Sequence, residues 1–143
     1  MIYVAHRGNV YGKNKLENSP FFIDKALKLG YNVEVDVWKI DNKIFLGHDK
    51  PEYEVETSFL LNDNFWCHAK NLESLEWMLD NNIRCFWHQK DDFTLTSDKI
   101  IWTYPGKNTT SRSIIVCQTL EDSMKYSKMN IYGICSDYVG VIK

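Results

Sequence analysis

This sequence predicts an α/β fold: a reduced TIM-type (β/α) barrel, with several helices replaced by loops and a β-hairpin at its second strand. Three observations lead there. Short apolar, strand-like runs alternate with amphipathic segments along the chain, the pattern of a parallel sheet. Seven of these runs are of parallel type and one more is a hairpin arm, which suits a barrel better than an open sheet. All four histidines, His6, His48, His68 and His88, stand at the C-terminal ends of such runs, the edge where barrels and open α/β sheets carry their active sites. Only three clear helices are present, and a full eightfold barrel needs at least about 200 residues, so 143 residues require a trimmed one. The length is that of one domain, residues 1–143.

Residues 2–6 read as the first buried strand, followed by a polar loop with Gly8 and Gly12. Ser19 is a good N-cap and Pro20 fits the first helical position. Phe22, Ile23, Ala26, Leu27 and Leu29 recur at helical spacing before Gly30, which predicts an amphipathic helix over 20–29. The chain returns as a strand over 32–38, turns at Asp41-Asn42, and comes back over 43–47 as a hairpin arm. Residues 50–64 are polar and mixed. Strands follow at 65–70 and 83–88, with a helix capped by Asn71 over 72–80 between them. Residues 89–98 show no helical period. Strands at 100–104 and 113–117, a helix over about 120–128 capped by Thr119 with Asp122, and a last strand at 131–135 complete the chain.

Composition narrows the partners. Hydrophobic residues make up 44% and charged residues 25%, ordinary for a soluble globular protein. Aromatics reach 14%, enough for a substantial core, and the net charge of −2 implies no broad basic surface for nucleic acid. The N-terminus shows no signal-peptide pattern, and no run approaches the roughly 20 apolar residues of a membrane span. Cys67, Cys85, Cys117 and Cys135 each lie in an apolar run without a CxxC pair, which predicts reduced, buried thiols and a cytoplasmic protein. A trimmed barrel leaves apolar strand faces that a homodimer would bury.

The chemistry gathers in three clusters. Glu34 and Asp36, two apart in a strand, point to one side. Burying acids there is costly without a cation or a salt bridge, and oxygen ligands favour Mg²⁺ or Ca²⁺. An imidazole, ordinarily titrating near neutrality, can act as base in one step and acid in the next, which makes His6 and His48 candidates for that work. Arg7 reads either as a phosphate-binding fork or as a surface salt bridge. Lys70 shares a strand face with His68 and could neutralise a phosphate oxygen, while His68 reads as a ligand, a hydrogen-bond donor or a structural histidine. Trp102 and Tyr104, at the end of their strand, are candidates for the pocket wall.

His6-Arg7-Gly8, Glu17-Asn18-Ser19, Ala26, Gly30, Glu34-Val35-Asp36-Val37 and Gly47-His48-Asp49 resemble, in order and spacing, the N-terminal signature of the glycerophosphodiester phosphodiesterases. Those enzymes belong to the phospholipase-C-like phosphodiesterase barrels. Gly133-Ile134-Cys135-Ser136-Asp137 resembles the Gly-Ile-x-Thr-Asp element of their last strand. The resemblance implies a metal-dependent phosphoric diester hydrolase with His6 and His48 as acid and base, Glu34 and Asp36 on a divalent cation, and Arg7 on phosphate. The family's Glu-x-Lys element is matched by His68-Ala69-Lys70, which keeps the lysine for phosphate and puts histidine where a metal carboxylate stands. His68 and Asp49 are then the candidates to complete the metal shell. The expected partner is a small phosphodiester such as a glycerophosphodiester, and the alternative is a non-catalytic binding protein for phospho-sugars or polyols on the same barrel.

Overall fold

The computed structural model describes residues 1–143. Its first strand, β1 (Ile2–His6), is followed by helix α1 (Pro20–Lys28), where Pro20 opens the helix and the Ser19 side chain accepts from the Phe22 amide. Next come β2 (Asn32–Ile40), β3 (Lys43–Leu46) and β4 (Tyr53–Val55), then a 3₁₀ turn (Thr57–Leu61). β5 (Phe65–Ala69) leads into α2 (Leu72–Asp80), whose Asn71 and Ser74 form a reciprocal capping box. After β6 (Cys85–Trp87), β7 (Phe93–Leu95), β8 (Ile101–Thr103) and β9 (Ser113–Cys117), α3 (Leu120–Tyr126) is capped by Thr119. β10 (Gly133–Ser136) and the single turn α4 (Val139–Ile142) finish the chain.

The ten strands form one mixed sheet, curled into a half-barrel. Its parallel strands stand in the order β8-β9-β10-β1-β2-β5-β6, so the first and last parallel strands of the chain are neighbours at its centre. β3 and β4 continue from β2 as an antiparallel meander.

The expected α/β class and the hairpin at β2 are present, and the sheet is a half-barrel, not a complete TIM-type barrel. No ladder joins β6 to β8. The thirteen residues between them hold no helix; their middle is taken up by a strand of its own. The chain instead doubles back as β7, antiparallel to β8, inside the stretch that shows no helical period in the sequence. Isolated bonds tie this segment to β6: the Ser97 amide donates to the Cys85 carbonyl (2.8 Å), the Cys85 amide to Ser97 Oγ (3.0 Å), and Thr94 Oγ1 to the Trp87 carbonyl (2.7 Å). Three further elements, β4, the 3₁₀ turn and α4, are absent from the sequence-based expectation.

Alternation sorts side chains onto two faces. Val33, Val35, Val37, Cys67 and Ala69 face outward and join Ile23 and Ala26 of α1 and Met78 of α2 in the largest apolar cluster. A smaller one under α3 holds Ile115, Ile134 and Tyr126. The concave face is filled by Val4, Trp66, Phe86, Trp102, Ile114 and Cys135. Phe86 stacks on Trp102 at 4.4 Å across the unpaired seam, so aromatic packing holds together strands that the hydrogen-bond ladder does not. This apolar plug floors a polar layer at the strand C-termini. All four cysteines are free and buried, and burial raises the Cys117 thiol to about 12. No helix is long and apolar enough to cross a membrane.

Candidate active site

Above the plug lies a cavity of about 420 Å³, lined by His6, Arg7, Glu34, His48, His68 and Lys70 together with His88, Tyr104 and Asp137. The parallel register assembles it. His6 pairs with Glu34 across β1 and β2, and Asp36 pairs with His68 across β2 and β5, so four side chains drawn from positions 6 to 68 of the chain share one layer of the concave face.

Asp36 is the hub. It is fully buried. Its Oδ2 accepts from Asn18 Nδ2 (2.9 Å), lies 3.3 Å from Arg7 Nε and meets His48 Nδ1 at 3.2 Å. Its Oδ1 lies 3.0 Å from His68 Nδ1 and 3.5 Å from Lys70 Nζ. Burial alone would push the Asp36 carboxyl up. Its contacts with His48 and His68 and the charge of Arg7 outweigh burial and hold it well below the usual carboxylate range. Glu34 goes the other way: burial and the neighbouring Asp36 charge raise it, and His6, His68 and Arg7 offset this only in part. Glu34 Oε2 accepts from the Arg7 amide at 3.2 Å.

Both strand-end histidines are oriented through Nδ1. His6 Nδ1 meets Asp137 Oδ1 at 3.0 Å, and Asn9 Nδ2 donates to the same oxygen at 2.8 Å. Burial opposes charge on His6, but the Asp137 hydrogen bond and the Glu34 charge prevail and raise its pKa. Asp137 is lowered by the same bond against its own burial. His48 gives Nδ1 to Asp36, and its Nε2 faces Arg7 Nη2 at 3.2 Å. Arginine only donates, so His48 Nε2 carries a lone pair there. A ring nitrogen held by a carboxylate fixes the tautomer and leaves the other nitrogen to handle a proton.

Local chain geometry puts these groups in place. Arg7 and Gly8 both adopt positive φ (54° and 84°), which turns the chain sharply after β1 so that the Arg7 amide and side chain reach both carboxylates. Glu17 holds the other side of the Arg7 fork, with Nη1 donating to Oε2 at 3.1 Å. Gly47, at φ 151°, donates its amide to the Asp36 carbonyl (3.1 Å) and accepts from Trp38 Nε1 (2.7 Å), which sets His48 beside Asp36. A Cβ on Gly47 would lie 2.1 Å from the Lys50 carbonyl oxygen. Gly47→Ala is therefore expected to cost about 1–3 kcal/mol in backbone strain and to move His48 off Asp36. A urea melt together with the NMR shifts of the His48 ring checks both effects, and an unchanged melt would show that the loop absorbs the methyl group.

Of the residues singled out in the sequence, His6, Arg7, Glu34, Asp36, His48, His68 and Lys70 converge. Tyr104 and His88 form the cavity wall, their rings 5.9 Å apart. Burial and the nearby His68 charge lower the His88 pKa. Asp49 stands outside this group: its side chain is 93% exposed, with Oδ1 3.7 Å from His48 Nε2 on the rim. The ligand-capable atoms of Glu34, Asp36 and His68 all lie within 4.8 Å of one another. Asp36 Oδ1 is buried without a hydrogen-bond partner, an orphan that a cation would satisfy, so these three residues fit a divalent ion. Asp137, Asn9 and Asn18 carry positioning roles that the sequence reading did not assign. The signal for Asp137 was its place at the end of the last strand, equivalent to that of the histidines. No protein-family model, curated protein or solved structure matches the chain.

Proposed function

We propose that the chain is a metal-dependent phosphodiester hydrolase acting on a glycerophosphodiester-like or other small phosphodiester, and that its curled sheet is a reduced TIM-type (β/α) barrel. One observation carries the chemistry: two imidazoles, each with Nδ1 held by a carboxylate, flank the Glu34–Asp36–His68 cluster in one cavity. The parallel strands stand in chain order around that cavity, which supports the barrel reading.

A divalent ion at the Glu34, Asp36 and His68 cluster, Mg²⁺ or Ca²⁺ if the two carboxylates alone decide, would draw charge from a phosphate oxygen and lower the nucleophile's pKa. Arg7 and Lys70, both beside Asp36, hold the remaining phosphate oxygens and balance charge that builds in the transition state. One of His6 and His48 takes the proton of the attacking hydroxyl through Nε2, and the other returns a proton to the leaving alkoxide. The nucleophile is water or a neighbouring substrate hydroxyl; the second gives a cyclic phosphate. Asp137 and Asp36 keep the two rings in register through the cycle.

Release of alcohol from glycerophosphodiesters and aryl phosphodiesters, with and without a chelator, tests this. Turnover of diesters but not monoesters, abolished by the chelator and restored by a divalent ion, is the expected result. Diester binding without turnover under every divalent ion would instead favour a phospho-sugar or polyol binding protein. The engagement of both Arg7 and Lys70 by Asp36 is the observation on that side.

A further inference from the structure

His68 Nε2 lies 3.0 Å from the carbonyl oxygen of His88. A carbonyl only accepts, so Nε2 carries the hydrogen. The ring is also clamped flat against Phe86, with centroids 5.0 Å apart and planes within 7°. Its free nitrogen, Nδ1, is thereby aimed at Asp36 Oδ1 (3.0 Å) and Glu34 Oε1 (3.8 Å). Yet Asp36 Oδ1, although fully buried, has no hydrogen-bond partner. A nitrogen lone pair and a carboxylate oxygen at that separation repel unless something positive sits between them. Lys70 Nζ, 3.5 Å from the same oxygen, offsets its charge from one side; between the two facing atoms themselves, a second proton on the ring or a metal ion is needed.

The arrangement has the marks of a metal-ligating imidazole. Its outer N–H is anchored to a backbone carbonyl, which fixes the tautomer and turns the other nitrogen inward. The donor set is then two carboxylates and one nitrogen. Oxygen-only shells suit Mg²⁺ and Ca²⁺, whereas imidazole draws first-row transition ions. Resting on the reading of Glu34 and Asp36 as a cation site, we propose that His68 ligates through Nδ1 and makes this a first-row transition-metal site, taking Mn²⁺ or Zn²⁺ in preference to Mg²⁺ or Ca²⁺.

Calorimetry without substrate, titrating MnCl₂, ZnCl₂, MgCl₂ and CaCl₂ into the wild type, His68→Glu and His68→Gln, tests the assignment. Pulsed EPR of the Mn²⁺-loaded proteins runs beside it. Wild type should bind Mn²⁺ and Zn²⁺ more tightly than Mg²⁺ and Ca²⁺ and show a ¹⁴N coupling. His68→Glu should lose the coupling and reduce the Mn²⁺/Mg²⁺ affinity ratio by at least about tenfold, a loss that even outer-shell changes cause. His68→Gln, with no imidazole and no added charge, should also lose the coupling, and it serves if the glutamate variant does not fold. Absence of the coupling in wild type, or an affinity ratio unchanged in the variants, overturns the proposal. A nitrogen-coupled ion in a protein that hydrolyses no diester would leave it standing and sink the phosphodiesterase reading. Failure to bind any divalent ion would sink the metal part of both.

Discussion

Replacing His6 or His48 by alanine is expected to reduce diester turnover by about 10²–10⁴-fold, the usual contribution of one general acid or base; His48→Ala should fold nearly as well as the wild type, and His6→Ala should lose in addition the stability of the Asp137 pairing. Both side chains line the open cavity, and neither belongs to the apolar clusters that hold the sheet together. The double variant should be little worse than either single one, because groups acting as a unit lose their effect together. Circular dichroism and single-turnover rates separate this from loss of structure. Asp137→Asn provides a check on positioning. Asp137 is lowered below its ordinary pKa of 3.8, so its pairing contributes stability above that value. The contribution is lost as pH falls through the depressed pKa. The asparagine variant should show a shallower acid limb in its stability profile, alongside a smaller loss of turnover than His6→Ala.

The second large effect concerns the carboxylate pair, whose two members are expected to behave oppositely in the metal-free protein. Asp36→Asn removes the charge that compensates Arg7, Lys70 and His48 at a fully buried position. Breaking a buried pair while leaving its partners typically costs about 3–5 kcal/mol. Arg7 keeps Glu17, which puts the expectation near the lower end. Glu34→Gln removes a carboxylate that burial and Asp36 already push toward neutrality. Folding disfavours its charged form at neutral pH, so the amide should leave stability unchanged or raise it. Both variants should abolish divalent-ion binding. Urea midpoints with an unchanged slope report the stabilities, and calorimetry reports the ion. Equal destabilisation by the two variants would contradict the assignment of Asp36 as the hub.

Much of this arrangement is legible in the chain. The capped helices are, because Ser19-Pro20, Asn71 and Thr119 are local signals that act within a turn of where they stand. Glu34 and Asp36 are legible too, since period-two alternation places them on one face whatever the tertiary fold. β7 was not. Its three residues, Phe93-Thr94-Leu95, are largely exposed at an edge, and their antiparallel pairing with β8 leaves no periodic signal in the sequence. Asp49 shows the opposite failure. Adjacent to His48 in sequence, it was a candidate for the metal shell, but the Gly47 turn that brings His48 inward leaves its neighbour facing solvent. The role of Asp137 depends on β10 lying beside β1, a contact across 131 residues that no local pattern encodes.

The proposed chemistry is phosphodiester cleavage in this cavity, with His6 and His48 as the proton-handling pair. ³¹P NMR of a glycerophosphodiester incubated with the protein and a divalent ion tests it most directly. The diester resonance should be replaced by that of a phosphomonoester or a cyclic phosphate, and the conversion should all but disappear in His6→Ala and His48→Ala. An unchanged diester resonance with each of Mg²⁺, Ca²⁺, Mn²⁺ and Zn²⁺, or conversion that survives both substitutions at the wild-type rate, would contradict it.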